Sequence, residues 1–185
     1  MSKSEIEKTL QGKGPFIQID WLNRLLKEPL TMDMKRFVLL KIAELYEKVK
    51  MFSKAAESYN ALAQISLTFA DKINFYLKEA EFYIYSDNFS KADEATKKAL
   101  LEANTLERKR IKTQILDFYK KQAEKYEKEK KRAKAAEVYE KLLEISTSQN
   151  EREEIKKKLV SLYEKLGKIR EIRNLESKFK MRSAS

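Results

Sequence analysis

The chain has 185 residues, 37% of them charged, and a formal net charge of +11. With only 3 Gly and 2 Pro, it is a poor match for a sandwich or barrel, because all-β folds need many Gly- and Pro-rich turns. It has no Cys and no His, which excludes disulfides, thiol chemistry, and histidine as a general base or metal ligand. Lys, Glu, Leu and Ala dominate, so the composition predicts an all-α protein of one ordinary domain.

The N-terminal residues predict a flexible start followed by two helices. Residues 1–15 are polar and contain two Gly, which favours a flexible segment. A first helix is predicted over 17–28, where an apolar stripe repeats at helical spacing and ends before Pro29. Thr31 is placed to cap the next helix, which is predicted to run to about Lys50.

Long apolar runs are absent from the sequence. The first residues lack the apolar core of a secretory signal, and no run approaches the roughly 18–20 apolar residues of a membrane span. We therefore expect a cytoplasmic protein with no membrane span.

Short polar residues, rather than Gly or Pro, mark the later helix starts. A capping side chain accepts a hydrogen bond from the exposed amides of the first turn, and an acid in that turn favours the positive helix end. These positions divide the chain into helices of roughly 15 to 25 residues. The predicted caps are Ser53, Thr68, Ser90, Asn104 and Ser148.

An internal repeat is the strongest feature of the sequence. The pattern Ala, two residues, Tyr, eight residues, Ala occurs three times, and a degenerate fourth copy follows. The first Ala lets the second helix approach closely, the second Ala sits where the axes cross, and the Tyr fills the gap above the crossing. Since a helix pair with one apolar face cannot bury it alone, we expect neighbouring pairs to stack. The copies are Ala43–Tyr46–Ala55, Ala80–Tyr83–Ala92, Ala123–Tyr126–Ala135 and Val160–Tyr163–Ile172.

The third repeat is longer than its neighbours. The steps between copies are 37, 43 and 37 residues, and the segment 106–131 contains no Gly or Pro and no convincing cap. The sequence therefore predicts an unusually long first helix in this repeat, with no break at 110–116.

At these residues the chain resembles the tetratricopeptide-repeat superfamily, over about 36–180. The turns Ser86-Asp87-Asn88-Phe89 and Leu166-Gly167-Lys168-Ile169 also resemble the family's turn between helices. Three features depart from the family: no Pro closes a repeat, the steps exceed the usual ~34 residues, and Arg132 replaces an aromatic residue. The longer steps are more similar to the repeats of SNAP-type vesicle-fusion adaptors, or of proteasome-lid and signalosome subunits.

The resemblance implies a fold and a class of function. The fold is an all-α, right-handed α-solenoid of antiparallel helix pairs, in a single domain over 16–182. The function is that of a protein-binding scaffold which uses the concave face of its first helices. The implied repeats are 36–69, 73–106, 116–149 and 153–182.

Residues suited to catalysis are few. Glu124, Glu127 and Glu129 alternate with Lys residues, which is typical of a solvated, ion-paired helix face. The segment Gly12-Lys13-Gly14 is too short for a phosphate loop and follows no strand, and no Asp cluster resembles a calcium loop. We therefore expect no enzymatic activity, no cofactor and no metal site.

Positive charge is concentrated in the C-terminal part of the chain. Residues 1–106 carry 16 basic and 15 acidic side chains, whereas residues 107–185 carry 24 and 14. One hypothesis is that an acidic, extended segment of another protein binds a ladder of lysines on successive first helices, with nearby apolar groups giving specificity. The predicted partner-binding residues are Lys78, Lys120, Lys121, Lys157 and Lys158, together with Leu77 and Tyr85.

Alternatives to this hypothesis stay open. The lysines would be a solvated surface if they pair with Glu81, Glu124 and Glu154. A basic helical module that binds RNA or DNA would instead lose affinity steeply with salt. For the oligomeric state we expect a monomer whose last helix pair acts as a polar cap, the rival being a homodimer through Ile169, Ile172, Leu175 and Phe179.

Overall fold

The computed structural model describes residues 2–183, with side chains to residue 179. This part of the chain forms ten α-helices and no strand, which confirms the all-α prediction. None of these helices is long and apolar enough to cross a bilayer. The helices are α1 (Lys3–Leu10), α2 (Pro15–Leu25), α3 (Met32–Lys48), α4 (Phe52–Gln64), α5 (Phe69–Tyr85), α6 (Phe89–Glu102), α7 (Thr105–Lys128), α8 (Arg132–Ile145), α9 (Gln149–Leu166) and α10 (Ile169–Ser183).

The chain divides into two compact units, residues 1–115 and 116–185, with the boundary inside α7. In the first unit each helix from α2 to α5 packs against the next in the chain. In the second unit α9 packs against both α8 and α10. The predicted domain over 16–182 spans both units.

Small and aromatic residues of the repeat pattern lie in the core. All six Ala residues of the three full copies are at most 1% exposed, which agrees with the prediction that they lie where helices pack closely. Tyr83, Tyr126 and Tyr163 are also buried, whereas Tyr46 is partly exposed. The long first helix predicted for the third repeat is confirmed, since α7 is continuous over 24 residues.

The first helices α3, α5, α7 and α9 all end in the same backbone turn. In each, a residue in the left-handed region follows the helix, and the next amide donates to the carbonyl of the repeat Tyr at 2.9 Å. This is the hydrogen-bond pattern of a Schellman motif. The left-handed residues of the four turns are spaced along the chain by the same steps as the repeat copies. They are Lys50 (φ 58°), Asp87 (φ 60°), Lys130 (φ 57°) and Gly167 (φ 69°).

Helix starts follow the predicted caps only in part. The side chains of Thr31, Thr68 and Asn104 accept first-turn amides, as predicted. By contrast, α4 and α6 begin before Ser53 and Ser90, because the preceding turn already sets the start of the second helix, and Asn88 caps α6. Ser148 precedes α9, but its side chain makes no capping hydrogen bond.

Residues 3–10 form helix α1 rather than the expected flexible start. Ser2 and Glu5 form a capping box, in which each side chain bonds the other residue's amide. Ile6 and Leu10 are buried against Leu22 of α2 and Val38 of α3, so this short helix completes the core of the first three helices.

Two arginines join neighbouring helix pairs at their ends. The side chain of Arg108 on α7 donates to the carbonyls of Leu100 and Ala103, at 3.2 and 3.1 Å. Arg152 on α9 donates to the carbonyls of Leu143 and Ser146, at 2.6 and 3.0 Å. Each arginine therefore satisfies carbonyls at the C-terminal end of the preceding helix, where no intrahelical donor is available.

Candidate interaction surface

Two ion pairs align α7 with α9 in the second unit. Lys120 Nζ lies 2.5 Å from Glu151 Oε1, and Lys158 Nζ lies 3.3 Å from Glu127 Oε2. The partners are separated by 31 residues in both pairs, and the pairs are two turns apart on each helix. The two first helices therefore run in the same direction along this stretch.

Lys158 is held more firmly than an ordinary surface lysine. Its Nζ donates to the Tyr139 hydroxyl at 2.7 Å and lies 5.1 Å from the centre of that ring. Partial burial lowers the pKa of Lys158, but the hydrogen bonds and charges of Tyr139 and Glu127 outweigh burial and raise it. The ammonium group is therefore charged and fixed in position.

Lys120 is fixed in a similar way by its acidic partner. Glu151 accepts hydrogen bonds from Lys120 and from the buried Ser146, and these bonds lower the pKa of its carboxyl group. The Glu151 carboxylate is therefore ionised at neutral pH, and it holds Lys120 in place on the α7 surface.

Lys121 and Lys157 remain available to a partner. Both are exposed, and neither forms an ion pair within residues 2–179. Lys121 lines a cavity of about 420 Å³ along α7, together with Glu124, Lys125, Lys128 and Glu129. Of these, Lys125 and Lys128 were not among the predicted site residues, although each stands one or two helical turns after Lys121 in the sequence.

A further basic cluster surrounds the ring of Tyr126 at the α7–α8 turn. The Nζ atoms of Lys125, Lys131 and Lys134 lie 5.4–5.8 Å from the centre of this ring. The Tyr126 side chain is 4% exposed, so its ring makes cation–π contacts with the lysines but offers little surface for base stacking.

The three predicted site residues of the first unit are less suited to binding. Lys78 pairs with Glu81 at 2.9 Å, and its Nζ lies 5.4 Å from the centre of the Phe82 ring. Leu77 is 5% exposed and is a core residue, since its position on α5 faces the neighbouring helices. Tyr85 is partly exposed, and its hydroxyl donates to Glu81 at 3.1 Å.

The apolar residues proposed for a homodimer are largely covered within the second unit. Leu175 and Phe179 are each 7% exposed, and Lys156 lies over the Phe179 ring at 4.6 Å. Ile172 is partly buried, and only Ile169 is well exposed, at 62%. This surface offers one large apolar contact rather than four.

Glu79 on α5 is the one buried acid among the described residues. Its Oε1 accepts from Lys98 at 3.2 Å, and Lys98 also donates to Asn60 at 3.3 Å, so the cluster joins α4, α5 and α6. Its Oε2 has no hydrogen-bond partner in the described part of the chain. Burial raises the pKa of Glu79, and Lys98 offsets this effect only in part.

Groups of three or more acidic side chains that could hold a metal are absent from the described residues. Comparison with known protein families finds no matching family model, and comparison with curated proteins finds no matching sequence. The inference of function therefore rests on the geometry and charge of the surfaces described above.

Proposed function

We propose that this chain is a non-catalytic scaffold that binds an acidic, extended segment of another protein on the α7–α9 face. The observation that carries the proposal is the pairing pattern of four lysines. Lys120 and Lys158 are fixed by internal partners, whereas Lys121 and Lys157 beside them are exposed and form no ion pair within residues 2–179.

This arrangement favours an acidic partner. Fixed neighbours order the two helix surfaces before binding, which reduces the entropy lost when a partner docks. Exposed ion pairs contribute only about 0–1 kcal/mol each, so several lysines in line are needed for useful affinity. An extended segment can reach successive helices, whereas a compact acidic group would reach only one.

The architecture that we propose for this scaffold is a right-handed solenoid of antiparallel, tetratricopeptide-like helix pairs. The shared turn after α3, α5, α7 and α9 supports it, since four equivalent turns at the repeat steps are expected from stacked pairs of one kind. The short connections between packed neighbours support antiparallel pairing within each pair.

A second candidate function is binding of RNA or DNA. The three lysines around the Tyr126 ring favour it, because they form a dense positive cluster. The low exposure of that ring argues against base stacking, so phosphate contacts would carry the binding.

The test is charge reversal at the two lysines without an ion pair. Fluorescence anisotropy would measure binding of a labelled oligo-glutamate peptide to wild type, to Lys121→Glu/Lys157→Glu, and to the control Lys13→Glu/Lys97→Glu. The control changes net charge equally at exposed lysines elsewhere. We expect the site variant to lose roughly tenfold in affinity and the control to lose little.

Two outcomes would count against the proposal. Equal losses in both variants would show that only net charge matters. Tighter binding of a single-stranded RNA than of the peptide, with a steep fall between low and moderate salt, would favour the nucleic-acid function.

A further inference from the structure

Of the eight large apolar side chains that are exposed among residues 2–115, five lie near the starts of α3, α5 and α7. The exposed fractions of these five range from 59% for Met32 to 94% for Leu67. Isolated exposed apolar residues are ordinary on protein surfaces, but a set gathered at one place indicates an interaction site. We call this set the apolar edge, and it consists of Met32, Leu67, Phe69, Leu101 and Leu106.

Ion pairs show that these residues share one edge of the unit. Arg36 near the start of α3 pairs with Asp71 in the first turn of α5, at 2.9 Å. Lys72, also in α5, pairs with Glu102 at the end of α6, at 3.6 Å. The start of α7 follows α6 after two residues, so the starts of α3, α5 and α7 meet at the same edge.

A pair consisting of an apolar residue and a lysine recurs at the starts of three helices along the apolar edge. The first or second residue of α3, α5 and α7 is a large apolar one, and a lysine follows three residues later on the same helix face. In α5 the two are in contact, since Lys72 Nζ lies 5.8 Å from the centre of the Phe69 ring. The pairs stand 37 residues apart and are Met32–Lys35, Phe69–Lys72 and Leu106–Lys109.

Acids at this edge are occupied by internal partners, whereas several bases are not. The acids in the first turns of α3, α5 and α7 and the last turn of α6 are bonded as follows: Asp33 with Lys3, Asp71 with Arg36, Glu102 with Lys72, and Glu107 with the amide of Asn104. Lys35, Lys109 and Arg110 form no ion pair within residues 2–179. Among these residues three basic groups without an ion pair stand against Glu107, whose partner is a neutral amide, so the apolar edge carries an excess of positive charge.

We propose that the apolar edge binds the surface of an anionic phospholipid bilayer. The apolar tips would enter the boundary between headgroups and acyl chains, and Lys35 and Lys109 would extend to the headgroup phosphates. Leu67 is 94% exposed, so it projects from the surface instead of lining a groove. A fluid bilayer accepts projecting side chains without a preformed pocket, whereas a folded protein partner would need one for each.

A second copy of the chain fits this edge less well. Packing the edge against itself would place the lysines of one copy against those of the other, which is repulsive. The bilayer proposal does not depend on the acidic-segment function, because the two surfaces belong to different units of the chain.

The first test removes apolar side chains. Sedimentation with vesicles of equimolar phosphatidylcholine and phosphatidylserine would compare wild type with Phe69→Ser/Leu106→Ser. The matched control, Ile17→Ser/Ile169→Ser, changes two apolar residues that are also more than half exposed, at 61% and 62%. We expect partitioning to fall at least about tenfold in the edge variant and to persist in the control. Absence of wild-type binding, or equal losses in both variants, would overturn the proposal.

The second test asks whether the charge acts at the edge. Lys35→Gln/Lys109→Gln should bind the mixed vesicles roughly tenfold more weakly, while Lys13→Gln/Lys97→Gln should bind them almost as wild type does. Equal weakening by the two variants would refute a localised surface and leave only general electrostatic attraction.

The third test detects insertion directly. Trp21 is the only Trp of the chain, so Phe69→Trp adds one emitter at the edge and Ile169→Trp adds one away from it. Vesicles that contain brominated acyl chains should quench the added emission of Phe69→Trp and leave that of Ile169→Trp unchanged. If the edge contacts a protein instead, the added emission of neither variant should be quenched. That result would contradict the bilayer proposal.

Discussion

Substituting glycine at the left-handed turn residues should stabilise the chain. Lys50 and Lys130 adopt φ values of 58° and 57° after α3 and α7. The left-handed conformation costs a residue with a Cβ roughly 1–2 kcal/mol, whereas glycine adopts it freely but loses about 0.5–1 kcal/mol more backbone entropy on folding. The balance predicts that Lys50→Gly and Lys130→Gly each raise the free energy of unfolding by about 0.5–1 kcal/mol.

The fourth turn provides the reverse experiment. Gly167 has φ 69°, and no atom outside the adjoining backbone and chain neighbours lies within 4 Å of the position that a Cβ would occupy. Gly167→Ala therefore adds backbone strain without a steric clash, and we expect it to lower the free energy of unfolding by about 0.5–1 kcal/mol.

Urea unfolding followed by the helical circular dichroism signal would measure these differences. The control is Lys97→Gly, because Lys97 is an exposed lysine inside α6, where glycine costs about 0.8–1 kcal/mol. Replacing lysine by glycine is thus expected to raise the free energy of unfolding at these turns and to lower it inside a helix. If Lys130→Gly destabilises the chain as much as Lys97→Gly does, the assignment of strain to these turns is wrong.

Three further predictions concern the core, pH and assembly. Ala80→Leu and Ala123→Leu should each lower the free energy of unfolding by about 1–3 kcal/mol, because the larger side chains overpack the core. The control Ala133→Leu, at an exposed position, should change it little. Equal effects of the core and control variants would contradict the packing role of the repeat Ala. Burial raises the pKa of Glu79 in the folded chain, so its stabilising contribution is complete below the ordinary value of 4.5 and is lost as pH rises through the raised pKa. The unfolding free energy of wild type relative to Glu79→Gln should therefore fall over that range, and pH profiles that run parallel would refute the argument. Since Leu175 and Phe179 are covered internally, light scattering should give a monomer mass at two concentrations, and a mass that rises with concentration would show self-association.

The repeat pattern could be found in the sequence because it reflects packing. Ala80 and Ala123 must be small where helices cross, and this constraint leaves a period that can be read without coordinates. The capping box of Ser2 and Glu5 was also present in the sequence, but the nearby Gly residues favoured a flexible start. Helix α1 forms because tertiary contacts of Ile6 outweigh this weak local preference.

The surfaces were harder to predict, because solvated positions carry no packing constraint. Leu77 was placed in the candidate site, yet it is buried, since a small shift of angle around the helix separates the core face from the binding face. One internal partner of Lys158 is Tyr139 of α8, and this contact depends on the packing of α8 against α9. The apolar edge could have been recognised from large residues that directly follow the caps Thr31 and Thr68, where a polar residue would be expected.

Order of synthesis gives the interhelix arginines a further consequence. The carbonyls at the end of α6 are satisfied by Arg108, which leaves the ribosome a few residues after α6 itself, and Arg152 stands in the same relation to α8. The second helices α6 and α8 are therefore completed by the first turn of the helix that follows each of them. A nascent chain that pauses directly after α6 or α8 would hold a frayed helix end, and a truncated chain designed to stop there should be extended through the arginine.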